Sequence, residues 1–352
     1  MDTFNICQWN SRSAISNKAN LEILLQQNNI DIDLISETWF KPGSYISFPS
    51  YNVVRKDRVD GKGGVAILIK NNIQFSEITS KVDFNEIMYV AVKIMLNNGS
   101  FLSLISLYIK PQSKISAFTW NNFFSNFSAP FLIGGDFNAH HVAWGCHDND
   151  TLGNTLLDVI NDNNLVFLNN GSYTRLNPSG GNNSAIDLSI TTPCMQDVLD
   201  WITLEDTFGS DHLPIIITCQ TKLRLTSSFS HKKWNVIKAN WDLFFVEATL
   251  NFSNYNDLNY SEFIQILNTV LEKTIPTISN TANKKRGGKS WWNQNCEEVV
   301  KKRKECFRNY KLNPNMDNLL QYKKSDAFAK KIIKEAKRES WRSFCLSLNQ
   351  NS

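Results

Sequence analysis

Long hydrophobic runs, paired cysteines and an N-terminal targeting pattern are all missing from this sequence of 352 residues. No stretch approaches the roughly 20 consecutive apolar residues that a membrane helix needs. The start, MDTFNICQWN, lacks the basic and then apolar pattern of a signal peptide. The seven cysteines are odd in number and include no Cys-x-x-Cys pair, which favours reduced thiols over a disulfide framework. We therefore expect an intracellular protein that does not enter a membrane.

A phosphate-binding loop of the P-loop type is also missing. The segment 61–70, GKGGVAILIK, has the glycines of such a loop, but no Lys-Ser/Thr pair and no helix follows them. We interpret this segment as a glycine turn that leads into a strand of a hairpin.

The composition does supply enough apolar material for a large core, with 42% hydrophobic residues, 22 Phe and 10 Trp. The net charge of +4 conceals an asymmetry along the chain. Residues 1–220 hold 13 basic and 21 acidic side chains, whereas residues 221–352 hold 24 basic and 12 acidic ones. We therefore expect two kinds of segment, joined near residue 220.

Short apolar segments alternate with amphipathic ones through the acidic part of the chain. The strands predicted from this pattern are 4–10, 32–36, 87–95, 101–109, 166–168, 185–190 and 213–219, and two more are expected after the glycine turn of 61–70 and at the start of 131–141. Helices are predicted at 17–28, 115–127 and 151–163, and the aromatic stripe of the second one is expected in the core: Phe118, Phe123, Phe124 and Phe127. This order is typical of an α/β (α+β) fold with functional groups at the strand ends.

The segment 131–141, FLIGGDFNAHH, has the strongest functional pattern in the chain. An apolar strand runs into two glycines and then into Asp136 and Asn138, whose side chains point the same way on an extended backbone. A surface turn is the alternative, because Gly, Asp and Asn are ordinary turn formers. Polar residues at the ends of other apolar runs favour a functional site, and they are Asn10, Glu37, Tyr108, Asp187, Asp211 and His212.

These residues form an oxygen-rich set with one imidazole. Such a set is expected where a divalent metal ion helps to hydrolyse a phosphodiester. Carboxylates suit Mg²⁺ or Mn²⁺ because hard cations prefer oxygen ligands. An acidic partner such as Asp187 would hold His212 in one tautomer, which fits a general acid-base or transition-state role.

Seven short motifs occur in an order that resembles a known family. They are QWN (8–10), SETW (36–39), KGGVAILIK (62–70), SLYIKP (106–111), IGGDFNAHHVAWG (133–145), SAIDLSI (184–190) and SDHLPI (210–215). The series resembles the endonuclease/exonuclease/phosphatase superfamily, and most closely the apurinic-endonuclease-like domain at the start of Jockey-type non-LTR (LINE) retrotransposon polyproteins. This resemblance implies a four-layer sandwich of two mixed β-sheets flanked by helices.

The resemblance also implies the residues that bind metal and water. Glu37 is expected to be the principal metal ligand, assisted by Asn10, and Asp211 is expected to be a metal-side or leaving-group acid. Asp136 and Asn138 resemble the pair that orients or deprotonates the attacking water.

Further roles follow from the resemblance for the substrate. Tyr108 resembles the donor to the scissile phosphate, and Asp187 the partner of His212, which contacts the phosphate as charge builds in the transition state. Substrate contacts are expected from Thr174, Ser184, Ser210, His140 and Trp144.

One departure from the repair-type relatives is the residue two positions after the first Asn, which is Arg12 here rather than an acid. This change puts a second metal position in doubt and points away from abasic sites toward plain nicking. A zinc site formed by His140, His141, Cys146 and His147 is an alternative, although their spacing is unlike that of structural zinc sites.

The basic part of the chain has a different character. We expect a helical connector at 221–275, a basic linker at 276–290 and a basic helical region at 291–352, after an endonuclease-type domain at 1–220. Basic helices are most often solvated surfaces, but interleaved Trp and Tyr also suit a nucleic-acid backbone. Short basic runs such as KKRGGK predict nuclear import. The segment starting WWNQNC resembles the region before a reverse transcriptase, and we find no polymerase motifs in the chain.

The sequence thus predicts a Mg²⁺-dependent DNA endonuclease that nicks target DNA and leaves a 3′-hydroxyl for reverse transcription. DNA is the expected partner, with element RNA as a partner of the basic helices. Two alternatives remain: another phosphoesterase of the same superfamily, or a non-catalytic DNA-binding remnant of a retrotransposon.

Overall fold

The structure, a computed structural model, describes residues 3–79, 84–177, 181–225, 235, 238–253, 260–276, 291–313 and 315–349. The chain forms two compact units, one made of Met1–Leu225 with Lys289–Ser352 and the other of Thr226–Gly288. Of the described helices, none is long and apolar enough to span a bilayer. The predicted linker at 276–290 falls outside the described residues except for Pro276.

Two mixed sheets of six strands each form the centre of the first unit. Sheet one has the order β11-β12-β1-β2-β4-β3. Its strands are β1 (Phe4–Asn10), β2 (Ile32–Ser36), β3 (Tyr51–Lys56), β4 (Val65–Lys70), β11 (Leu199–Thr203) and β12 (Ile215–Cys219). Within it β1 and β2 are parallel, and the other pairs are antiparallel.

Sheet two has the order β5-β6-β7-β8-β10-β9. Its strands are β5 (Phe75–Glu77), β6 (Ile87–Met95), β7 (Phe101–Ile109), β8 (Phe131–Asp136), β9 (Val166–Phe167) and β10 (Asp187–Thr191). Here β7 and β8 are the parallel pair. The faces of the two sheets meet in one apolar cluster that includes Ile6 and Leu34 from sheet one and Leu104 and Leu132 from sheet two.

Helices cover the outer faces of both sheets. On sheet one, α1 (Lys18–Gln27) packs Leu21 and Leu24 into an apolar cluster with Trp9. On sheet two, α2 (Ala117–Ser125) and α3 (Thr151–Asp162) contribute to a second cluster around Ile133. The expected four-layer α/β sandwich is thereby confirmed.

Most predicted elements are confirmed, and four strands have the predicted bounds. The predicted strand at 185–190 instead begins at Asp187, and the one predicted at 213–219 begins at Ile215. The edge strand β3 was missed because its half-exposed residues give no alternation of buried and exposed positions. The prediction that Phe118 belongs to the core is wrong, since its side chain is 74% exposed. Five residues separate Phe118 from Phe123, which puts them on nearly opposite sides of a helix.

In addition to the two sheets and their covering helices, the first unit contains a pair of long helices, α6 (Gln294–Leu312) and α7 (Met316–Asn349). The rings of Phe307 and Tyr322 are in contact, and Lys337 Nζ lies over the ring of Trp291, just before α6. These two contacts show that the two helices run antiparallel. In the second unit, α4 (Trp241–Phe252) and α5 (Tyr260–Thr274) form their own pair, with Lys273 Nζ 3.0 Å from Glu247 Oε2. A mostly helical C-terminal region is thus confirmed.

Candidate active site at one end of the two sheets

Strand register assembles the first half of the site as a row across sheet two. Tyr108 of β7 lies opposite Asp136 of β8, which in turn lies opposite Asp187 of β10. A similar row crosses sheet one, where Asn10 of β1 pairs with Ser36 of β2 and Glu37 follows directly. Because each residue stands at the end of an apolar strand, the strands bury their hydrophobic parts and leave the polar ends side by side.

Asn10 joins the two rows. Its Nδ2 donates to Glu37 Oε1 at 3.0 Å and to Asp136 Oδ2 at 2.8 Å. Its Oδ1 accepts from the backbone N–H of Arg12 at 3.0 Å, so the amide orientation is consistent with three contacts. Two carboxylates are therefore held around one amide, across the interface of the two sheets.

Glu37 has a second partner that the sequence reasoning did not find. The indole Nε1 of Trp39 donates to Glu37 Oε2 at 3.2 Å, so both oxygens of this carboxylate are oriented. Glu37 and Trp39 have positive φ angles of 51° and 55°. Non-glycine residues rarely adopt this conformation, and such strain is often found at functional sites.

The close approach of β8 to β7 requires glycine just before Asp136. A Cβ atom on Gly135 would lie 1.9 Å from the carbonyl oxygen of Leu107. After Asp136, the backbone turns so that Asn138, at φ 47°, donates its N–H to Asp136 Oδ1 at 3.0 Å. The Nδ2 of Asn138 donates to the carbonyl of Ile109 at 2.9 Å, which leaves its side-chain oxygen as the remaining acceptor.

Asp187 and His212 form a buried pair beside this row. His212 Nδ1 lies 2.7 Å from Asp187 Oδ2, and the same oxygen accepts from Thr174 Oγ1 at 2.6 Å. Burial by itself would lower the pKa of His212, but the charge and hydrogen bond of Asp187, with Asp136 and Asp211 further away, raise it to about 9. The imidazole is therefore protonated at neutral pH and presents Nε2–H as a donor.

The site carries more negative charge than its own side chains offset. Desolvation, followed by the charge of Asp187, raises the pKa of Asp136 to about 7. Desolvation and the charges of Glu37 and Asp136 raise the pKa of the Tyr108 hydroxyl well above its usual range, so that it remains a donor.

The carboxylates of the site fit a divalent cation, whereas the protonated His212 is a donor and not a ligand. In the described part of the chain, one group of three His, Cys, Asp or Glu residues has ligand atoms within 4.8 Å of one another, and it consists of Asp136, Asp187 and His212. Asp187 Oδ1 is buried and has no hydrogen-bond partner among the described residues. A buried carboxylate oxygen of this kind is costly unless a cation or donor approaches it. Oxygen donors of Asp and Glu are those preferred by Mg²⁺ and Mn²⁺.

Asp211 is held differently from the other acids. Its Oδ2 lies 3.1 Å from Arg12 Nη1 and 3.6 Å from Arg175 Nε. Two guanidinium groups thus already offset its charge, which makes Asp211 a poorer candidate for a metal ligand than Glu37. Arg12, the departure from the repair-type pattern, is one of the two.

Three residues expected to contact substrate point into the protein instead. Thr174 is fully buried and bonded to Asp187, and Trp144 is fully buried, with Nε1 donating to the Ala139 carbonyl at 3.2 Å. Ser210 Oγ donates to the Asn10 carbonyl at 2.8 Å and accepts the His212 N–H at 3.2 Å. In this structure these three side chains are hydrogen-bonded within the protein, and their contact with substrate stays a prediction. They support the residues that line the site, because their polar atoms are already engaged.

The remaining two substrate candidates do lie at the surface. His140 and Ser184 line one cleft of about 250 Å³ together with Arg175. His140 Nδ1 lies 3.1 Å from Asp150 Oδ2 and is part-buried. The alternative zinc cluster is not assembled in the described residues, since the sulfur of Cys146 is buried against the N–H of Ala185.

A buried glutamine beneath the site was also missed as a functional residue. Gln8 Nε2 donates to the carbonyls of Gly135 and Leu188, and its Oε1 accepts from Ser189 Oγ at 2.7 Å. It therefore connects β1 to the two strands that carry Asp136 and Asp187. The sequence does contain a signal, a polar residue inside an otherwise apolar strand, but that pattern does not indicate its partner.

The class of fold is defined by two mixed six-stranded sheets with a cluster of acidic residues and one histidine at one end. The chain has the fold of the apurinic-endonuclease-like members of the endonuclease/exonuclease/phosphatase superfamily. Residues 102–216 match the family model described as Endonuclease-reverse transcriptase.

Curated and solved relatives agree with this class. The RNA-directed DNA polymerase from mobile element jockey of Drosophila melanogaster is 29% identical over 222 residues, which are 61% of this chain and 23% of that protein. The probable RNA-directed DNA polymerase from transposon BS of the same organism is 27% identical over 229 residues, which are 63% of this chain and 25% of that protein. This chain thus spans about a quarter of the length of these relatives.

Two solved structures share the fold. The endonuclease domain of TRAS1, a telomere-specific non-LTR retrotransposon, superposes with a TM-score of 0.54 and 23% identity, covering 62% of this chain and 99% of that domain. AP endonuclease LMAP from Leishmania major gives a TM-score of 0.51 and 10% identity, covering 62% of this chain and 87% of that protein. The resemblance to the endonuclease domain of Jockey-type retrotransposons is confirmed.

Proposed function

We propose that this chain is a metal-dependent DNA endonuclease that nicks one strand of a duplex and leaves a 3′-hydroxyl for target-primed reverse transcription. The observation that carries the proposal is the convergence of Glu37 and Asp136 on Asn10, beside the buried pair of Asp187 and His212. This combination joins cation ligands to a positively charged donor, and phosphodiester hydrolysis needs both.

Glu37, assisted by Asn10, would hold the cation, which we propose to be Mg²⁺ with Mn²⁺ as a substitute. When bound, the cation would polarise the phosphate and offset the charge of the cluster. Asp211 is a weaker candidate ligand because two arginines already pair with it.

The chain's own groups would perform the remaining steps. The side-chain oxygen of Asn138 would orient the attacking water by accepting a hydrogen bond, and the carboxylate of Asp136 would accept the proton of that water. His212, held by Asp187, donates to a phosphate oxygen whose charge increases in the transition state. The Tyr108 hydroxyl would donate to the same phosphate from β7, the strand on the other side of Asp136 from Asp187.

DNA attraction is proposed to come largely from outside the acidic domain. Residues 221–352 hold 24 basic against 12 acidic side chains, whereas residues 1–220 have an acidic excess. Lys304, Arg308 and Lys311 line one cleft of about 510 Å³ on α6. These exposed basic groups suit a phosphate backbone, of DNA during nicking or of the element RNA. We also propose a nuclear location, because the substrate would be chromosomal DNA.

The test is nicking of supercoiled plasmid by the full chain with Mg²⁺, with Mn²⁺ or with EDTA. We expect metal-dependent conversion to the relaxed form, and at least a hundredfold loss of rate for Asp136→Asn and for His212→Gln. Asp158→Asn, an exposed acid on α3, is the matched control and should cleave normally. Extension of the nick by a DNA polymerase without prior phosphatase treatment would identify a 3′-hydroxyl.

The two alternatives give different results in the same assay. A chain that retains plasmid in a gel shift but does not nick it is a DNA-binding remnant. A chain that spares plasmid but releases phosphate from small phosphoesters is a different phosphoesterase of the superfamily.

A further inference from the structure

The loop that carries Asp211 and His212 connects the edge strand β11 of sheet one to its neighbour β12. It runs from Leu204 to Pro214, between β11 and β12. Its backbone bonds include the Leu213 N–H to the Thr174 carbonyl at 2.7 Å and the Ser210 N–H to the Thr207 carbonyl at 3.1 Å. Within the nuclease domain, Trp9 Nε1 donates to the His212 carbonyl at 3.2 Å and Asp187 holds its imidazole, while the rest of the loop is covered from outside.

The helix pair α6–α7 covers this loop, and it does so with a buried charge. The side chain of Arg303 on α6 is 0% exposed. Its Nη2 lies 2.6 Å from Asp206 Oδ2, and its Nη1 donates to Asn20 Oδ1 at 2.9 Å. Asp206 Oδ1 also accepts the N–H of Phe208 in the same loop. A guanidinium is costly to bury unless it is paired and hydrogen-bonded, so this contact is specific to one arrangement of helix and loop.

A second contact reaches the loop from α7. The hydroxyl of Tyr322 hydrogen-bonds Thr207 Oγ1. Around it, an apolar cluster packs Phe307 and Tyr322 of the helix pair against Leu176 and Leu213. Leu213 follows His212 directly, so the apolar contact acts one residue from the imidazole.

The helix pair also borders the surroundings of Asp211. A cleft of about 210 Å³ is lined by Arg12 and Asp211 from the nuclease domain and by Tyr310, Tyr322 and Lys323 from the helices. A movement of the helices would therefore change the space beside Asp211 as well as the support of His212.

More than a third of this chain has no counterpart in the solved domain with the same fold. The TRAS1 endonuclease domain is 99% covered while only 62% of this chain is matched, and the curated matches likewise span about 220 residues. Yet Lys289–Ser352 belongs to the same compact unit as Met1–Leu225.

We propose that Arg303 and Tyr322 are positioning residues of the nuclease, which act by fixing the loop 204–214 so that His212 meets the substrate. The proposal rests on the proposed nuclease function for its kinetic consequence, but its structural consequence can be measured without activity. It makes the helix pair a working part of the enzyme and not only a basic extension that attracts DNA.

The experiment compares Arg303→Met, Arg303→Lys and Tyr322→Phe with the unmodified full chain. Asn309→Met is the matched control, since it replaces an exposed polar side chain on the same helix that has no part in the proposed DNA contact. Nicking kinetics are measured well below the melting temperature of every variant, and backbone hydrogen exchange is measured on peptides that cover 204–214.

For Arg303→Met and Tyr322→Phe we expect kcat to fall about tenfold with KM changed less than twofold, because a small misplacement of a catalytic group lowers the rate without weakening binding. The rate of backbone hydrogen exchange should rise in the loop 204–214 and remain unchanged in β1 and β8. Arg303→Lys should restore part of the rate, and Asn309→Met should leave kcat unchanged.

A purely stabilising role would lower the melting temperature and leave kcat and loop exchange unaltered, and that result would overturn the proposal. If Arg303→Met does not fold, Tyr322→Phe decides the question because it removes only one hydroxyl. If the unmodified chain does not nick DNA, the proposed function fails, while unchanged loop exchange in the variants is still the result that rejects positioning.

Discussion

Asp33 should make the stability of this protein fall as the pH rises. The residue lies in β2 and is fully buried, and neither carboxylate oxygen has a hydrogen-bond partner of good geometry among the described residues. Its register partner in β1 is Cys7, whose thiol is only a weak donor. Desolvation raises the pKa of Asp33 from 3.8 to about 7, against a small lowering by Cys7.

The sign and size follow from proton linkage. The folded state holds the proton up to about pH 7, whereas the unfolded state releases it near pH 3.8. The stability present below pH 3.8 is therefore lost as the pH rises to about 7. Three pKa units correspond to a loss of about 4 kcal/mol in the free energy of unfolding, and more than half of this loss falls between pH 5 and pH 8.

Asp33→Asn removes the ionisation and nearly keeps the shape. We expect its free energy of unfolding, relative to that of the unmodified chain, to rise by roughly 3 kcal/mol between pH 5 and pH 8. Urea unfolding at the two pH values measures this difference, and other titrating groups cancel in the comparison. Asp158→Asn, at an exposed position of α3, should show no such rise. An Asp33→Asn difference that is equal at both pH values would refute the reasoning, because the carboxyl would then ionise alike in both states.

Three further predictions concern the site and the basic helices. Gly135→Ala should prevent correct folding or cost more than about 3 kcal/mol, since its Cβ would overlap the Leu107 carbonyl, and thermal melting would show the loss. Trp39→Phe should raise the Mn²⁺ concentration needed for half-maximal binding by about fivefold in calorimetry, because one oxygen of Glu37 loses its donor; unchanged binding would contradict Glu37 as a ligand. Replacement of Lys304, Arg308 and Lys311 by Gln should flatten the dependence of DNA affinity on salt by up to about three in log–log slope, and an unchanged slope would exclude this face from the interface.

The strand ends that form the site could be predicted from the sequence alone. Each of Asn10, Glu37, Tyr108, Asp136 and Asp187 ends an apolar run or directly adjoins one, and such a pattern is local enough to be visible without coordinates. The order of these runs, with helices between them, indicates an α/β fold because parallel strands need crossover connections, and the resemblance to a known family implied the sandwich. The choice of oxygen ligands indicates a hard cation for the same local reason.

The partners of these residues depended on the tertiary structure. Register decided that Asp136 faces both Tyr108 and Asp187, and packing decided that Thr174 and Trp144 point inward instead of toward a substrate. Local patterns specify which face of an element is apolar, but they do not specify which distant element covers it.

The C-terminal helices show the same limit most clearly. Their composition indicated a basic surface, and only the fold reveals that Arg303 is buried against Asp206, 97 residues earlier in the chain. A charged residue in a basic helix usually remains in water, so its burial requires a partner that sequence spacing cannot identify. The amino-acid sequence therefore determined the class of site and the strands that present it, whereas long-range pairing determined which side chains line it and which hold it in place.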